Sequence, residues 1–252
     1  MSSQDTETQA ATSKSTIHFI VLPKQCENHT RWDEMIEKFK RFRLYALGES
    51  PEAFASTLAV EKAFAQEIWA GRLNSPRATH GLAVDYPNAA DIKTDSGKTE
   101  ALLNNEWIAQ TVLIEVVEGE VAKLAADKSP WNHNPQHGPQ LDSHRTGEER
   151  VVFVLSGIYV TPQYRQGGIG ANMIAASIDE GIRIARSRGL PEVQFQVRVD
   201  ADNLPAVKLY ERASFQCVGT EQLVMGEKER NGVKIPPRAI EVLVLHRHIS
   251  LK

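Results

Sequence analysis

Residues 150–225 carry the pattern that most restricts the fold. A β-branched, nearly all-apolar run, VVFVLSGIYV (151–160), passes through TPQYRQGGIG (161–170) into the helical stretch ANMIAASIDEGIRIAR (171–186). VQFQVRV (193–199), a second helical stretch over 204–213 and FQCVGTEQLVM (215–225) follow. A strand buried on both faces reads as a continuous apolar run, and strands alternating with helices predict an α/β sheet with helices packed on it. Gly189, Leu190 and Pro191 close the first helix, since glycine accepts the left-handed end conformation and proline cannot continue a helix. RAIEVLVLHRH (238–248) predicts one more strand, paired most simply with the preceding one across EKERNGVKIPP (227–237). No segment recurs at a fixed period, which argues against a solenoid.

The first half is read in the same way. IHFIVL (17–22) predicts a buried first strand ended by Pro23. Over 31–47, Trp32, Met35, Ile36, Phe39, Phe42, Ala46 and Leu47 recur at three- and four-residue steps and predict an amphipathic helix. Ser50-Pro51 stops it, because the residue before proline is pushed out of helical conformation, and AFASTLAVEKAFAQEIWAGRL (53–73) predicts a second helix. THGLAV (79–84) and EWIAQTVLIEVV (106–117) predict strands flanking a polar excursion over about 85–105. Residues 118–149 are rich in Pro, His, Asn and Asp, and a stretch of this length without periodicity is expected to be functional or disordered. The polar residues 1–15 predict a disordered leader, followed by a single domain over 16–252 with insertions at about 85–105 and 118–149.

The chain has 252 residues, 41% of them hydrophobic, which is enough to bury a substantial core. A formal charge of -3 provides no general attraction for nucleic acid. No apolar run is long enough to span a bilayer, so no membrane partner is expected and a cytoplasmic location is, with the nucleus also open. Cys26 and Cys217 are far apart, no residue cluster has metal-ligand spacing, and free thiols without a metal are expected.

Two successive glycines at the mouth of a helix let backbone N–H groups approach a ligand where the helix dipole favours negative charge. A nucleoside-triphosphate loop would need Gly-Lys-Ser/Thr, and this loop has Gly170-Ala171-Asn172 instead. A dinucleotide fold would need a third glycine near Met173. Both familiar alternatives fail, and an anion cradle of another kind remains beside a plain glycine turn.

Arg165-Gln166-Gly167-Gly168-Ile169-Gly170, preceded by a strand and Val160-Thr161-Pro162, resembles the coenzyme A pyrophosphate loop of the GNAT superfamily of acyl-CoA-dependent N-acetyltransferases. DADNLPAVKLYERASF (200–215) is similar to that family's later segment, in which an Asn opens the helix after the fifth strand and a Tyr follows. RLYALGESPEAFAST (43–57) looks like the family's junction between its first two helices. The resemblance covers about residues 17–248. Two departures are Ser214, where the family often has glycine, and the long stretch 118–149.

The resemblance implies a mixed α/β fold. Its central twisted sheet is mostly antiparallel, with a parallel, splayed pair of fourth and fifth strands and helices on both faces. It implies acetyl-CoA as co-substrate, no metal, and acetyl transfer to a primary amine. The diphosphate would rest on N–H groups of Gln166, Gly167, Gly168, Ile169, Gly170 and Ala171, with Arg165 adding charge. Ile158, Tyr159 and Val160 would border the pantetheine, and Asn203 would cap its helix and meet the coenzyme. Tyr210 would protonate the leaving thiolate. Glu115 on the third strand is the candidate base, and the alternating Gln194, Gln196 and Arg198 either line the acceptor site or meet coenzyme and water. A small-molecule amine is the expected acceptor. A protein lysine or amino terminus, a non-catalytic acyl-CoA sensor, and a homodimer are the alternatives kept open.

Overall fold

The computed structural model describes residues 16–24, 26, 28–87, 89–116, 150–230 and 232–252. The expected leader and the 118–149 insertion lie outside the described residues. Strands β1 (Ile17–Val21), β2 (Ala78–Asp85), β3 (Trp107–Val116), β4 (Arg150–Val160), β5 (Glu192–Asp200), β6 (Gln216–Met225) and β9 (Arg238–Ser250) form a seven-stranded sheet in the order β1-β2-β3-β4-β5-β9-β6. Every neighbour pair is antiparallel except β4 and β5, which run parallel. The mixed sheet and its parallel pair are as the resemblance implies. The edge position of β1 leaves it half-buried rather than fully buried, and β9 lies between β5 and β6. The connection 226–237 forms a small hairpin of its own, β7 (Lys228–Arg230) with β8 (Val233–Ile235).

Helices cover both faces. On one lie α5 (Ile169–Ser187) and α6 (Leu204–Arg212), whose Ile174, Ile178 and Tyr210 pack on Phe153, Leu155, Phe195 and Val197. Gly181 brings α5 close to the sheet: a Cβ there would fall 2.5 Å from the fully buried Phe195 ring. On the other face lies α1 (His29–Glu49), capped by Asn28, which accepts from the Arg31 N–H at 3.3 Å. Its Met35, Ile36 and Phe39 meet Ile20, Leu82, Val84 and Trp69, as the apolar stripe predicts.

The expected second helix is divided into α2 (Leu58–Lys62) and α3 (Gln66–Asn74), with a 3-10 turn at Pro51–Ala53 before them. The division serves a buried charge. Glu61, 1% exposed at its side chain, pairs with Arg43 at 2.8 Å and with Arg72 at 2.8 Å. On one continuous helix, residues 61 and 72 would stand about 16 Å apart. The polar excursion contains a helix that hydrophobic periodicity does not mark, α4 (Asp95–Asn104), whose cap Thr94 accepts from the Gly97 N–H at 3.1 Å.

Candidate active site

The site begins where β4 and β5 part. They pair from Arg150 opposite Glu192 to Val154 opposite Gln196, and no further. Beyond that rung β4 stays with β3 as far as Val160 opposite Ala109, and β5 stays with β9 as far as Asp200 opposite Val242. The β3–β4 register slips between Gln110 and Val112, which lie opposite Tyr159 and Ser156. Gly157, inside this bulge, has φ +63°, and its carbonyl accepts from Gln110 Nε2 at 3.4 Å. A bulge bends its strand and raises its twist, which steers residues 155–160 away from β5. The result is a split between two adjacent strands, bordered by Ile158, Tyr159 and Val160.

The chain leaves the split through a 3-10 turn, Pro162–Tyr164, into the glycine loop. Gln166 and Gly168 both have left-handed backbones, φ 68° and 79°. Gly168 caps α5 without a side chain, and the helical ladder opens with the Asn172 N–H donating to the Gly168 carbonyl at 3.0 Å. The N–H groups of Ile169, Gly170 and Ala171 precede that bond, so no helical carbonyl can accept from them. Residues 165–168 are exposed. This arrangement can receive an anion on main-chain donors at the positive end of a 19-residue helix.

Arg165 is occupied elsewhere. Its guanidinium donates to Glu49 at 2.8 Å, to Ser50 Oγ at 2.9 Å and to the Val160 carbonyl at 2.9 Å. Its charge is therefore shared with Glu49, and the cradle rests chiefly on main chain. Glu49 also accepts from the Tyr159 hydroxyl at 3.1 Å and from Ser50. Burial alone would raise the Glu49 pKa, but the Ser50, Arg165 and Tyr159 hydrogen bonds outweigh it and hold the carboxyl below its usual range. Burial, and then Glu49, push the Tyr159 phenol above its usual range. Glu49 joins the end of α1 to the end of β4, a link between residues 116 positions apart that no local pattern marks.

Asn203 caps α6, accepting from the Ala206 N–H at 3.3 Å. Tyr210 lies on the buried side of α6 within the β5 core cluster, edge-on to Phe215 with ring centroids 5.6 Å apart. Burial raises its pKa, so the phenol holds its proton at neutral pH. The turn after α6 needs a left-handed residue, and Ser214 fills it with φ +63°. That requirement accounts for glycine at this position in the family pattern. A side chain at Gly170 would come within 3.2 Å of Leu209, so α6 packs directly against the loop end of α5.

Glu115 is not brought to this group. It faces Phe153 at the paired end of β4, and Arg188 grips both its oxygens at 2.7 and 2.8 Å. Five strand positions separate Phe153 from Ile158, about 17 Å. On β5, Gln194 meets His246 at 3.1 Å and Arg198 forms a two-point pair with Glu221 at 3.0 and 3.2 Å. Lys228 of β7 is buried and donates to the Pro51 carbonyl at 2.6 Å and to the Phe54 carbonyl, pinning the hairpin onto the α1–α2 junction. A cavity of about 490 Å³ lies beside the split rather than in it, between α1 and the turn after β4, bordered by Lys38, Phe42, Tyr45, Trp107 and Thr161. Among the described residues no helix is long and apolar enough to cross a membrane.

Known proteins resemble this chain in part of its sequence and in its fold. Residues 132–215 match the family described as "Acetyltransferase (GNAT) family". Mycothiol acetyltransferase of Streptomyces bingchenggensis (strain BCW-1) is 30% identical over 140 aligned positions, which take in 44% of this chain and 44% of that protein. The chain thus spans less than half the length of that curated relative. Among solved structures, Arabidopsis thaliana NAA60 in complex with acetyl-CoA is similar with a TM-score of 0.51 at 18% identity, covering 93% of this chain and 99% of that one. An acetyltransferase of the GNAT family from Streptococcus pneumoniae has a TM-score of 0.51 at 14% identity, covering 93% of this chain and 100% of that one. At such identities the likeness concerns the fold.

Proposed function

We propose that this protein transfers an acetyl group from acetyl-CoA to a primary amine, because residues 132–215 match the acetyltransferase (GNAT) family and the sheet has that family's fold. The observation that carries the proposal is the continuity of two features. The β4–β5 split opens at Val154 and Gln196, and β4 runs from it directly into the anion-receiving end of α5. A ligand with a diphosphate at one end and an extended amide-bearing arm at the other suits that combination. The diphosphate takes the N–H groups of Ile169, Gly170 and Ala171, with those of Gln166, Gly167 and Gly168 nearby. The arm lies along Ile158, Tyr159 and Val160. Asn203 fixes the start of α6 and so the position of Tyr210.

The amine nitrogen attacks the thioester carbonyl carbon, the tetrahedral intermediate collapses, and the carbon–sulfur bond breaks. Tyr210, whose phenol is protonated at neutral pH and whose pKa burial raises further, gives its proton to the departing sulfur and regains one from water. The proton lost by nitrogen passes to water. A small-molecule acceptor is favoured, because Lys228 and the Arg230–Glu52 ion pair hold the β7–β8 hairpin against the α1–α2 junction. In this reading the fixed hairpin stands beside the acceptor entrance and narrows the approach available to an extended peptide.

The test is release of free thiol from acetyl-CoA in the presence of a panel of small amines, amino acids and lysine-containing peptides. Thiol release that depends on a small amine is expected. No release with any acceptor would overturn the transferase reading, and release with peptides alone would overturn the acceptor class.

A further inference from the structure

Gln196 occupies the rung at which the two strands separate. It is 2% exposed, and its side-chain oxygen has no hydrogen-bond partner among the described residues. None of its strand neighbours donates to it. Val154 lies opposite on β4. On β9 the facing residue is His246, whose Nδ1 is already engaged by Gln194. Arg198, two positions along the same face, is held by Glu221. A buried acceptor left unpaired costs roughly 1–3 kcal/mol, a cost that a bound donor would remove.

We propose that the Gln196 side-chain oxygen accepts an N–H hydrogen bond from the acceptor amine and so aims the nitrogen lone pair at the thioester carbonyl. This rests on the transferase reading above. The position fits, because Gln196 shares its sheet face with Val154 and lies on the side opposite α5, away from the anion cradle. The charge fits as well. The facing residue on β9 is His246, and the charged and titratable groups that act on it are His248 on β9, Arg198 on β5 and Arg150 on β4. The neighbouring carboxylate, Glu221, is taken up by Arg198. A neutral amide among cationic and neutral groups favours the uncharged, nucleophilic amine over its ammonium form.

Gln196→Met and Gln196→Glu separate this role from packing. Met keeps the volume and removes the acceptor. It should lower kcat/KM for the amine by about 5- to 150-fold, the equivalent of one lost hydrogen bond of that size. Acetyl-CoA affinity by calorimetry should stay unchanged and the melting temperature should stay level or rise, since the oxygen has no partner among the described residues to lose and its unpaired burial is relieved. Gln196→Glu places a carboxylate beside the amine, stabilises the ammonium form, and should shift the rising limb of the kcat–pH profile to higher pH. An unchanged kcat/KM in Gln196→Met would overturn the assignment. So would an equal loss of acetyl-CoA affinity, which would place the hydrogen bond on the coenzyme, or a lowered melting temperature. Wild-type protein that releases no thiol with any amine would refute the transferase reading and this role together. Wild-type turnover that both variants retain would refute only the role of Gln196.

Discussion

Glu61→Gln probes the buried ion-pair cluster that ties the first three helices together. Glu61 joins three helices, because Arg43 belongs to α1, Glu61 to α2 and Arg72 to α3. The Arg43 guanidinium also lies over the Phe54 ring at 4.5 Å, and an ideal Cβ on Gly157 would be 4.0 Å from it, which connects the cluster to the β4 bulge. Burial alone would raise the Glu61 pKa, but the hydrogen bonds and charge of Arg43, then those of Arg72, outweigh it and leave the carboxylate below its usual range. Burial lowers Arg72 as well, yet a guanidinium starts so far above neutral pH that it stays charged. The Glu61→Gln substitution would remove the buried carboxylate that the half-buried Arg43 and the buried Arg72 share, and breaking such a pair costs about 3–5 kcal/mol. That is a large part of the roughly 5–15 kcal/mol that holds a domain folded. In a chain of this size it should lower the melting temperature by about 6–20 °C. Urea unfolding at pH 7 measures the loss, and the double variant Glu61→Gln with Arg72→Met should recover much of it by removing one of the stranded charges. Because the native carboxylate is depressed, its contribution is present above about pH 4.5 and is lost as pH falls through the lower folded value. The deficit of the variant should therefore shrink only in strong acid. A loss below about 1 kcal/mol, or no recovery in the double variant, would refute the reasoning.

Two further outcomes are expected. Tyr210→Phe keeps the edge-on contact with Phe215 and removes only the hydroxyl, so turnover should fall by about 10²–10⁴-fold with acetyl-CoA affinity unchanged; wild-type turnover under conditions where chemistry limits the rate would leave Tyr210 as a packing residue. His80 is buried beside the Arg72 carbonyl, 3.0 Å from its Nε2, and burial takes its pKa from 6.5 down to about 3. Below pH 6.5 the unfolded chain binds one more proton there than the folded chain, so acid should cost about 1.4 kcal/mol per pH unit down to about pH 3. His80→Gln should remove that slope in urea unfolding followed from pH 7 to pH 4, and an unchanged slope would show that His80 does not titrate as described.

The elements legible in the sequence are those whose periodicity is unbroken. The apolar run of β4, the double glycine and the helix after it specify one another locally, and the structure places them within a residue or two of expectation. Reading fails where distant partners decide the outcome. A single helix over 53–73 satisfies local propensity, but the chain divides so that Arg72 can reach Glu61. The insertion of β9 between β5 and β6 cannot be seen in strands that alternate alike, since either neighbour would satisfy their apolar faces. Helix α4 has its signals, a Thr94 cap and Asp95 in the first turn, but they sit in a polar segment with a weak apolar face. The site divides in the same way. Its glycine loop and Asn203 cap are local and visible in the sequence. The β4–β5 split is a main-chain feature, and Glu49 meets Arg165 across 116 positions. Gln196 stands out in the sequence only as one of three polar residues alternating with apolar ones over 193–199 of a central strand. Its distinguishing property, a buried oxygen without a partner among the described residues, exists only in three dimensions.

Calorimetric titration of acetyl-CoA into the wild-type protein, Gly168→Asn and Gly168→Asp tests whether the glycine loop holds the coenzyme diphosphate. Gly168 has φ +79° and no atom within 4 Å of where a Cβ would stand, so side chains of this size have room, and Asn and Asp are the residues best able to share a left-handed backbone. The two variants are nearly equal in shape and differ by one negative charge at the mouth of α5. The wild type should bind one acetyl-CoA per chain, Gly168→Asn should bind it with modestly weakened affinity, and Gly168→Asp should show no measurable binding. Equal affinity in a folded Gly168→Asp protein and in Gly168→Asn, or no binding by the wild type, would contradict the assignment of the glycine loop to the coenzyme diphosphate.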